Sequence, residues 1–170
     1  LRLRWRGPAS ELTPFCEVTM GEHPIAGTLN FRSVAPYAAR AGQMKANRLY
    51  RCGAFDEIGA DGLAQLKRIG LSTVFDLRSE VEKERAPSPL LTQGDFRVVA
   101  YPHRIRHGDL AAVLRDPSAR PEAATQAMRS IYTQIPAAFA DIFAFCFRTA
   151  LESGMPFAIH CTAGKDRTGI

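Results

Sequence analysis

Cys161 stands six positions before Arg167 in the run His160-Cys161-Thr162-Ala163-Gly164-Lys165-Asp166-Arg167-Thr168-Gly169-Ile170. A thiol and a guanidinium at that spacing suit the attack of a thiolate on phosphorus. A phosphoester dianion repels an incoming anion, so its oxygens must first be neutralised by several converging donors. A short loop with inward N–H groups, above a helix N-terminus, supplies them without moving side chains. Gly164 and Gly169 suit such a loop. Arg167 completes the ring, because a planar guanidinium grips two oxygens at once and stays charged, which an ammonium does not match. The same positive field favours the thiolate of Cys161, the nucleophilic form.

The backbone of Thr162, Ala163, Gly164 and Lys165 is therefore expected to cradle the phosphoryl group. Thr168 is expected to donate its hydroxyl to the Cys161 sulfur, and His160 to orient the loop from below through backbone bonding. A Cys-to-Arg spacing followed by Thr arises often by chance, but two glycines at further fixed positions lower the odds to below about 1 in 10,000. The alternative of a nucleotide-binding loop around Gly164-Lys165 fails, since Ile159 stands where the first glycine is required and Asp166 replaces Ser or Thr.

The run from His160 to Gly169 resembles the signature of cysteine-dependent protein tyrosine phosphatases, and its Gly-Lys-Asp-Arg-Thr-Gly form is similar to the bacterial tyrosine/serine protein phosphatase family. Asn30-Phe31-Arg32 resembles that family's Asn-Phe-Arg element. Leu49-Tyr50-Arg51-Cys52-Gly53 resembles its Tyr-Arg-Ser segment, and Phe75-Asp76-Leu77-Arg78-Ser79 with Glu82 and Glu84 its Asp-Leu-Arg-Ser block. The likeness covers residues 28 to 170 and departs at Ser33-Val34-Ala35-Pro36, where the family has Asp-hydrophobic-Gly-Gly. It implies an α/β layer fold of the protein-tyrosine-phosphatase type, with a central, mainly parallel sheet flanked by helices. It also implies hydrolysis of phosphotyrosine, with phosphoserine, phosphothreonine or phosphoinositides as further substrates, through a phosphocysteine. No metal or organic cofactor is required.

The leaving oxygen needs a proton, and a positioned carboxylic acid commonly contributes ~10²–10⁴-fold. Asp166 is the favoured donor, because in the resembling family the loop aspartate is assigned this role. Asp76, at the end of a strand, is the second candidate, since α/β sites form beyond strand C-terminal ends; pairing with Arg78 is its more ordinary role. Asp109 is a distant third. Two other readings keep the loop but change the chemistry: a phosphate-recognition module without turnover, and a sulfurtransferase carrying a persulfide on Cys161. The first leaves the cysteine without purpose and the second leaves Arg167-Thr168 unexplained.

One hundred and seventy residues with 46% hydrophobic content suit a single domain with a real core. A net charge of +5 favours anionic partners. Charge alone admits phosphoproteins, phosphoinositides and nucleic acid; with the resemblance, a phosphorylated protein or phosphoinositide is expected and nucleic acid is not. No oligomeric state follows. No apolar run approaches the ~18 residues that span a membrane, so an integral membrane protein is not expected. Cys16, Cys52, Cys146 and Cys161 form no CxxC pair, which suits a reducing compartment such as the cytoplasm. Cys52 could trap Cys161 as a reversible disulfide, a buried apolar cysteine being the default.

The elements that must position the loop are legible in outline. Leu3 to Arg6 and Val18-Thr19-Met20 suggest an edge hairpin, and Leu49 to Cys52 a strand. Ala60 to Ile69 reads as a helix stopped by Gly70. Leu71 to Leu77 reads as a buried strand, Arg78 to Arg85 as a charged helix or turn, and Phe96 to Tyr101 as a further strand. The charged stretch 103–121 is a candidate lid or insertion. Ala124, Met128, Ile131 and Ile135 keep helical spacing, and Pro136 is expected to start a second helix with Phe139, Ile142, Phe143, Cys146, Phe147 and Ala150 on one face. Met155 to Ile159, after the Ser153-Gly154 turn, reads as the strand that feeds the loop.

The sequence stops at Ile170, three residues past Arg167. A phosphate loop draws part of its field from the helix after it, and one turn cannot supply that dipole. Similar phosphatases continue with several helices, so residues 1–170 are expected to be a single phosphatase domain cut just after the loop, lacking its C-terminal helices. A polypeptide that truly ended there is expected to be severely impaired.

Overall fold

The computed structural model of the chain describes residues 25–34, 38–40, 42–100, 108–152 and 156–170. The suggested N-terminal hairpin, Cys16, residues 103–107 of the candidate lid and the Ser153-Gly154 turn lie outside the described residues. The elements run β1 (Arg32–Ser33), β2 (Ala38–Ala39), β3 (Gly42–Gln43), β4 (Leu49–Cys52), α1 (Ala60–Arg68), β5 (Thr73–Asp76), α2 (Glu80–Arg85), a 3-10 turn (Pro89–Thr92), β6 (Arg97–Ala100), α3 (Gly108–Arg115), α4 (Pro121–Ala138), α5 (Ala140–Glu152) and β7 (Phe157–His160).

The main sheet has the order β1-β4-β7-β5-β6. Only β1 runs antiparallel to its neighbour; β4, β7, β5 and β6 are mutually parallel. The mainly parallel α/β sheet expected from the sequence is the one observed. β7 follows all its neighbours in sequence yet sits at the centre, paired with Leu49–Cys52 on one side and Thr73–Asp76 on the other. The loop after β7 therefore leaves the carboxyl edge in mid-sheet, between the ends of β4 and β5, the place where open parallel sheets build their sites.

Side chains alternate across the sheet and feed two cores. One face buries Tyr50, Cys52, Val74 and Ala158 against Leu66 of α1 and against Phe31, Phe55 and Leu90. The other buries Phe75, Phe157 and Cys161 against Ile131 and Ile135 of α4 and Ile142 and Cys146 of α5. α1 ends as its sequence demands: Gly70 takes φ +72°, Leu71 N–H bonds the Leu66 carbonyl at 3.1 Å and Gly70 N–H that of Lys67 at 2.9 Å, a Schellman closure with Leu66 and Leu71 both buried.

Two expectations are corrected. α4 runs through Pro136 to Ala138, and the break falls at Phe139, with the two helices bent by 55°. A proline in the last turn removes only one hydrogen bond, to the Tyr132 carbonyl four residues back, and Phe139 N–H still bonds Ile135. Phe147 does not join the core face; it is 67% exposed and lines a groove of about 630 Å³ with Leu49, Phe143, Phe157, Ile159 and Gly169. Within the candidate lid, residues 108–115 form α3, whose Leu110 packs against the α4–α5 core. Among the described residues, no single helix is long and apolar enough to cross a membrane.

Candidate active site

The segment Cys161–Ile170 is an irregular loop and turn, and its carbonyls are tied outward one after another. The Thr162 carbonyl accepts from Ala54 N–H at 3.0 Å. The Ala163 carbonyl accepts from Asn30 Nδ2 at 2.9 Å, and those of Gly164 and Lys165 accept from Arg51 Nη2 at 3.2 and 2.9 Å. In a planar trans peptide the N–H points opposite to the carbonyl, so anchoring carbonyls 162–165 outward turns the N–H groups of residues 163–166 toward the loop's inner side. Successive N–H groups so directed form an anion-binding concavity.

Glycine is required at two points. Gly164 takes φ +64°, and a Cβ there would lie 2.2 Å from the Cys52 carbonyl carbon. A Cβ on Gly169 would meet the Lys165 oxygen at 2.4 Å. Asn30 holds φ +56°, a region asparagine tolerates better than other side-chain-bearing residues. That turn aims its amide at the loop while Phe31 stacks on Tyr50, ring centroids 5.1 Å apart.

Cys161 is buried at the root of the loop. Arg167 is held by four bonds: Nη1 donates to the Leu77 carbonyl (3.0 Å) and Glu82 Oε2 (2.8 Å), and Nη2 donates to Glu82 Oε1 (2.7 Å) and Thr162 Oγ1 (3.2 Å). Burial alone would push the guanidinium toward neutrality, but Glu82 outweighs it and keeps Arg167 charged. Glu82 is in turn fixed by a capping box: it accepts from Ser79 N–H at 2.7 Å and from Ser79 Oγ at 2.8 Å, while its own N–H reaches Ser79 Oγ. Thr162 Oγ1 also donates to Glu82. Burial would raise the Glu82 carboxyl, yet the bonds from Arg167, Thr162 and Ser79 hold it well below the usual carboxylate range. No role for Glu82 is evident from the catalytic motif alone. The Ser-x-x-Glu spacing before α2, a capping box in its own right, was the signal that it is a fixed carboxylate.

Asp76, the second candidate acid, is not placed to donate a proton. Its carboxylate is buried and takes three bonds of 2.9–3.2 Å from the Arg78 side chain, plus the Arg78 backbone N–H at 2.9 Å. His160 Nε2 lies 3.4 Å away without hydrogen-bond geometry, so Arg78 is the firmer partner. Burial pushes Asp76 up, but His160 and Arg78 override it and keep the group ionised far below the usual range. The pair serves as a buried strut, with Arg78 Nη1 also gripping the Ala86 carbonyl at 2.7 Å.

His160 does lie behind the loop, its Nδ1 3.4 Å from the Cys161 carbonyl and its ring edge-on to Phe55. Leu77 N–H bonds the His160 carbonyl at 2.9 Å. Thr168 corrects the expectation: among the described residues its buried hydroxyl has no partner, and it lines the apolar groove beneath the loop rather than bonding the Cys161 sulfur. Lys165 is exposed beside the loop, and Asp166, half-buried, accepts a hydrogen bond from the Tyr132 hydroxyl on α4. The Asp109 side chain lies outside the described residues. Cys52 is buried in the α1-side core, apart from Cys161's cluster; burial, and secondarily Cys161, pushes its thiol well up, so it behaves as a core residue. Among the described residues, no group of three His, Cys, Asp or Glu side chains could hold a metal ion.

The arrangement offers a buried thiol, a guanidinium clamped by Glu82, an anion-binding concavity and the Asp166 carboxylate within the loop. The profile of the tyrosine phosphatase family matches residues 23–170. A candidate tyrosine-protein phosphatase of Cupriavidus necator is 33% identical over 163 residues, 92% of this chain and 58% of that protein. Triple specificity protein phosphatase PtpB of Mycobacterium tuberculosis is 30% identical over 178 residues, 89% of this chain and 61% of its own length. The crystal structure of P. aeruginosa TpbA is 22% identical over 83% of this chain and 58% of that one, with a TM-score of 0.36. The chain spans about three fifths of the length of the curated relatives it matches. With the family profile covering all of the described loop and sheet, the chain belongs to the tyrosine phosphatase family.

Proposed function

We propose that the chain carries the catalytic centre of a phosphomonoester hydrolase that acts on phosphotyrosine through a phosphocysteine. The observation that carries this reading is the loop itself: outward-tied carbonyls, Cys161 at its root and Arg167 held by Glu82 and Leu77. The phosphoryl oxygens would take the N–H groups of residues 163–166, with Lys165 adding charge at the rim. The Cys161 sulfur bonds phosphorus as the phosphorus–oxygen ester bond breaks, and Asp166 gives the leaving oxygen its proton. Water then attacks phosphorus, the phosphorus–sulfur bond breaks, and Asp166 takes the proton back. Four N–H bonds of Arg167 are already engaged, so its Nε–H, together with any donor released by Thr162, is what remains for the substrate.

Breadth beyond phosphotyrosine, to phosphoserine, phosphothreonine or phosphoinositides, is supported by the exposed Lys165 and by similarity to a phosphatase named for triple specificity. A reducing cytoplasm would keep Cys161 in its working form. The test is hydrolysis of a phosphotyrosine peptide, a phosphoserine peptide and a phosphoinositide, with and without vanadate. Vanadate-sensitive turnover that Cys161→Ser abolishes is expected; vanadate-insensitive hydrolysis, full activity of Cys161→Ser, or turnover of thiosulfate in place of phosphate esters overturns the reading.

A further inference from the structure

The Tyr132 hydroxyl donates to Asp166 Oδ1, a contact that joins α4 to the phosphate loop across 34 positions of sequence. The rest of α4 does not explain it. Ala127, Ile131 and Ile135 bury the other side of the helix in the core, whereas Tyr132 is 39% exposed and contributes little to that packing. Its hydroxyl is spent on the carboxylate of Asp166 in the loop. Asp166 beside it weakens the phenol's acidity, so Tyr132 keeps its proton and acts as a donor at neutral pH. Pro136, four residues on, deprives the Tyr132 carbonyl of its helical N–H, and α4 ends two residues further, at Ala138, in the 55° bend to α5.

A carboxylic acid that protonates a leaving group must present one oxygen to it. A free aspartate can rotate either oxygen away. Among the described residues Oδ2 of Asp166 has no partner, while Oδ1 is held by Tyr132. Resting on the reading of Asp166 as the proton donor, we propose that Tyr132 is a positioning residue for the reaction: its hydroxyl fixes Oδ1 so that Oδ2 carries the proton to the ester oxygen and receives it back from water. The bonds made and broken are those of the two steps above; Tyr132 itself gains and loses no proton.

The consequence is a dependence on the leaving group. An alkoxide from phosphoserine needs its proton in the transition state, whereas p-nitrophenolate leaves without much help. Tyr132→Phe removes one exposed hydroxyl and keeps the ring. In the full chain, kcat/KM, which reports only the step that expels the leaving group, is expected to fall about 10-fold for a phosphoserine or phenyl phosphate substrate and by less than about 2-fold for p-nitrophenyl phosphate. Asp166→Asn should show the same pattern more strongly, and Tyr132→Phe added to Asp166→Asn should cost nothing further. A loss of kcat/KM that is uniform across leaving groups, wild-type kcat/KM in Tyr132→Phe, or additive losses in the double variant overturn the proposal. A wild-type protein that turns over no phosphate ester instead overturns the phosphatase reading beneath it.

Discussion

A methyl group at residue 164 would have to occupy the same space as the Cys52 carbonyl, 2.2 Å away, on a backbone at φ +64°. Gly164→Ala is expected to cost about 3 kcal/mol in urea unfolding and to abolish turnover, because the loop can relieve the clash only by releasing the carbonyls that Asn30 and Arg51 hold. Arg167→Lys tests geometry rather than charge. A lysine cannot bond Leu77, Glu82 and Thr162 from one planar fork, so kcat/KM should fall by ~10²–10³, and the melting temperature should fall as well because buried bonds are lost. The candidate loop is legible at this scale: Cys161, Gly164, Asp166 and Arg167 lie together in the turn after β7, as their spacing leads one to expect. Thr168 and Tyr132 were not, because the direction of a hydroxyl and the partner of a carboxylate 34 positions away depend on how α4 lies over the sheet, which spacing does not encode.

Among the elements, α2 is short, yet it places the carboxylate that clamps Arg167. Its capping box links local stability to catalysis: Ser79→Ala should destabilise the protein by ~1 kcal/mol and also lower kcat/KM, since Glu82 loses the hydroxyl and N–H geometry that aim it. Glu82→Gln keeps the shape but not the charge, and on the order of a 10-fold loss in kcat/KM is expected with Ser79 capping retained; equal activity of Glu82→Gln and wild type in a phosphotyrosine assay would show that the Glu82 charge is not needed to hold the guanidinium. Strands β4, β5 and β6 and helix α1 were readable from apolar runs and the Gly70 stop. The end of α4 was not: Pro136 looked like a helix start, and only packing of Ile135 and Phe139 into one core decides that the helix continues past it. The charged composition of 103–121 likewise concealed α3, whose few apolar residues suffice because α4 supplies the opposing surface.

For the molecule as a whole, two carboxylates govern the acid limit. Asp76 and Glu82 both bind protons more weakly in the fold than in the unfolded chain. Their contribution to stability is therefore complete above the ordinary carboxylate range near ~4 and is lost as pH falls below it toward their folded values. The melting temperature should stay level from pH 7 to about 5 and drop by several degrees or more toward pH 3, and Asp76→Asn, which leaves Arg78 buried without its anion, should be poorly stable even at pH 7. The sheet order carries a last consequence, for synthesis. β4 and β5 flank a gap that only β7 fills, and β7 is translated after both. Before residues 157–160 emerge from the ribosome, the nascent chain can form only the β1–β4 and β5–β6 pairs, with two unpaired inner edges exposed to any neighbouring strand. Pairing of β7 closes both edges and sets the loop that follows it beside Arg51, Glu82 and Leu77, so the candidate site is assembled only once the sheet that shields it is whole.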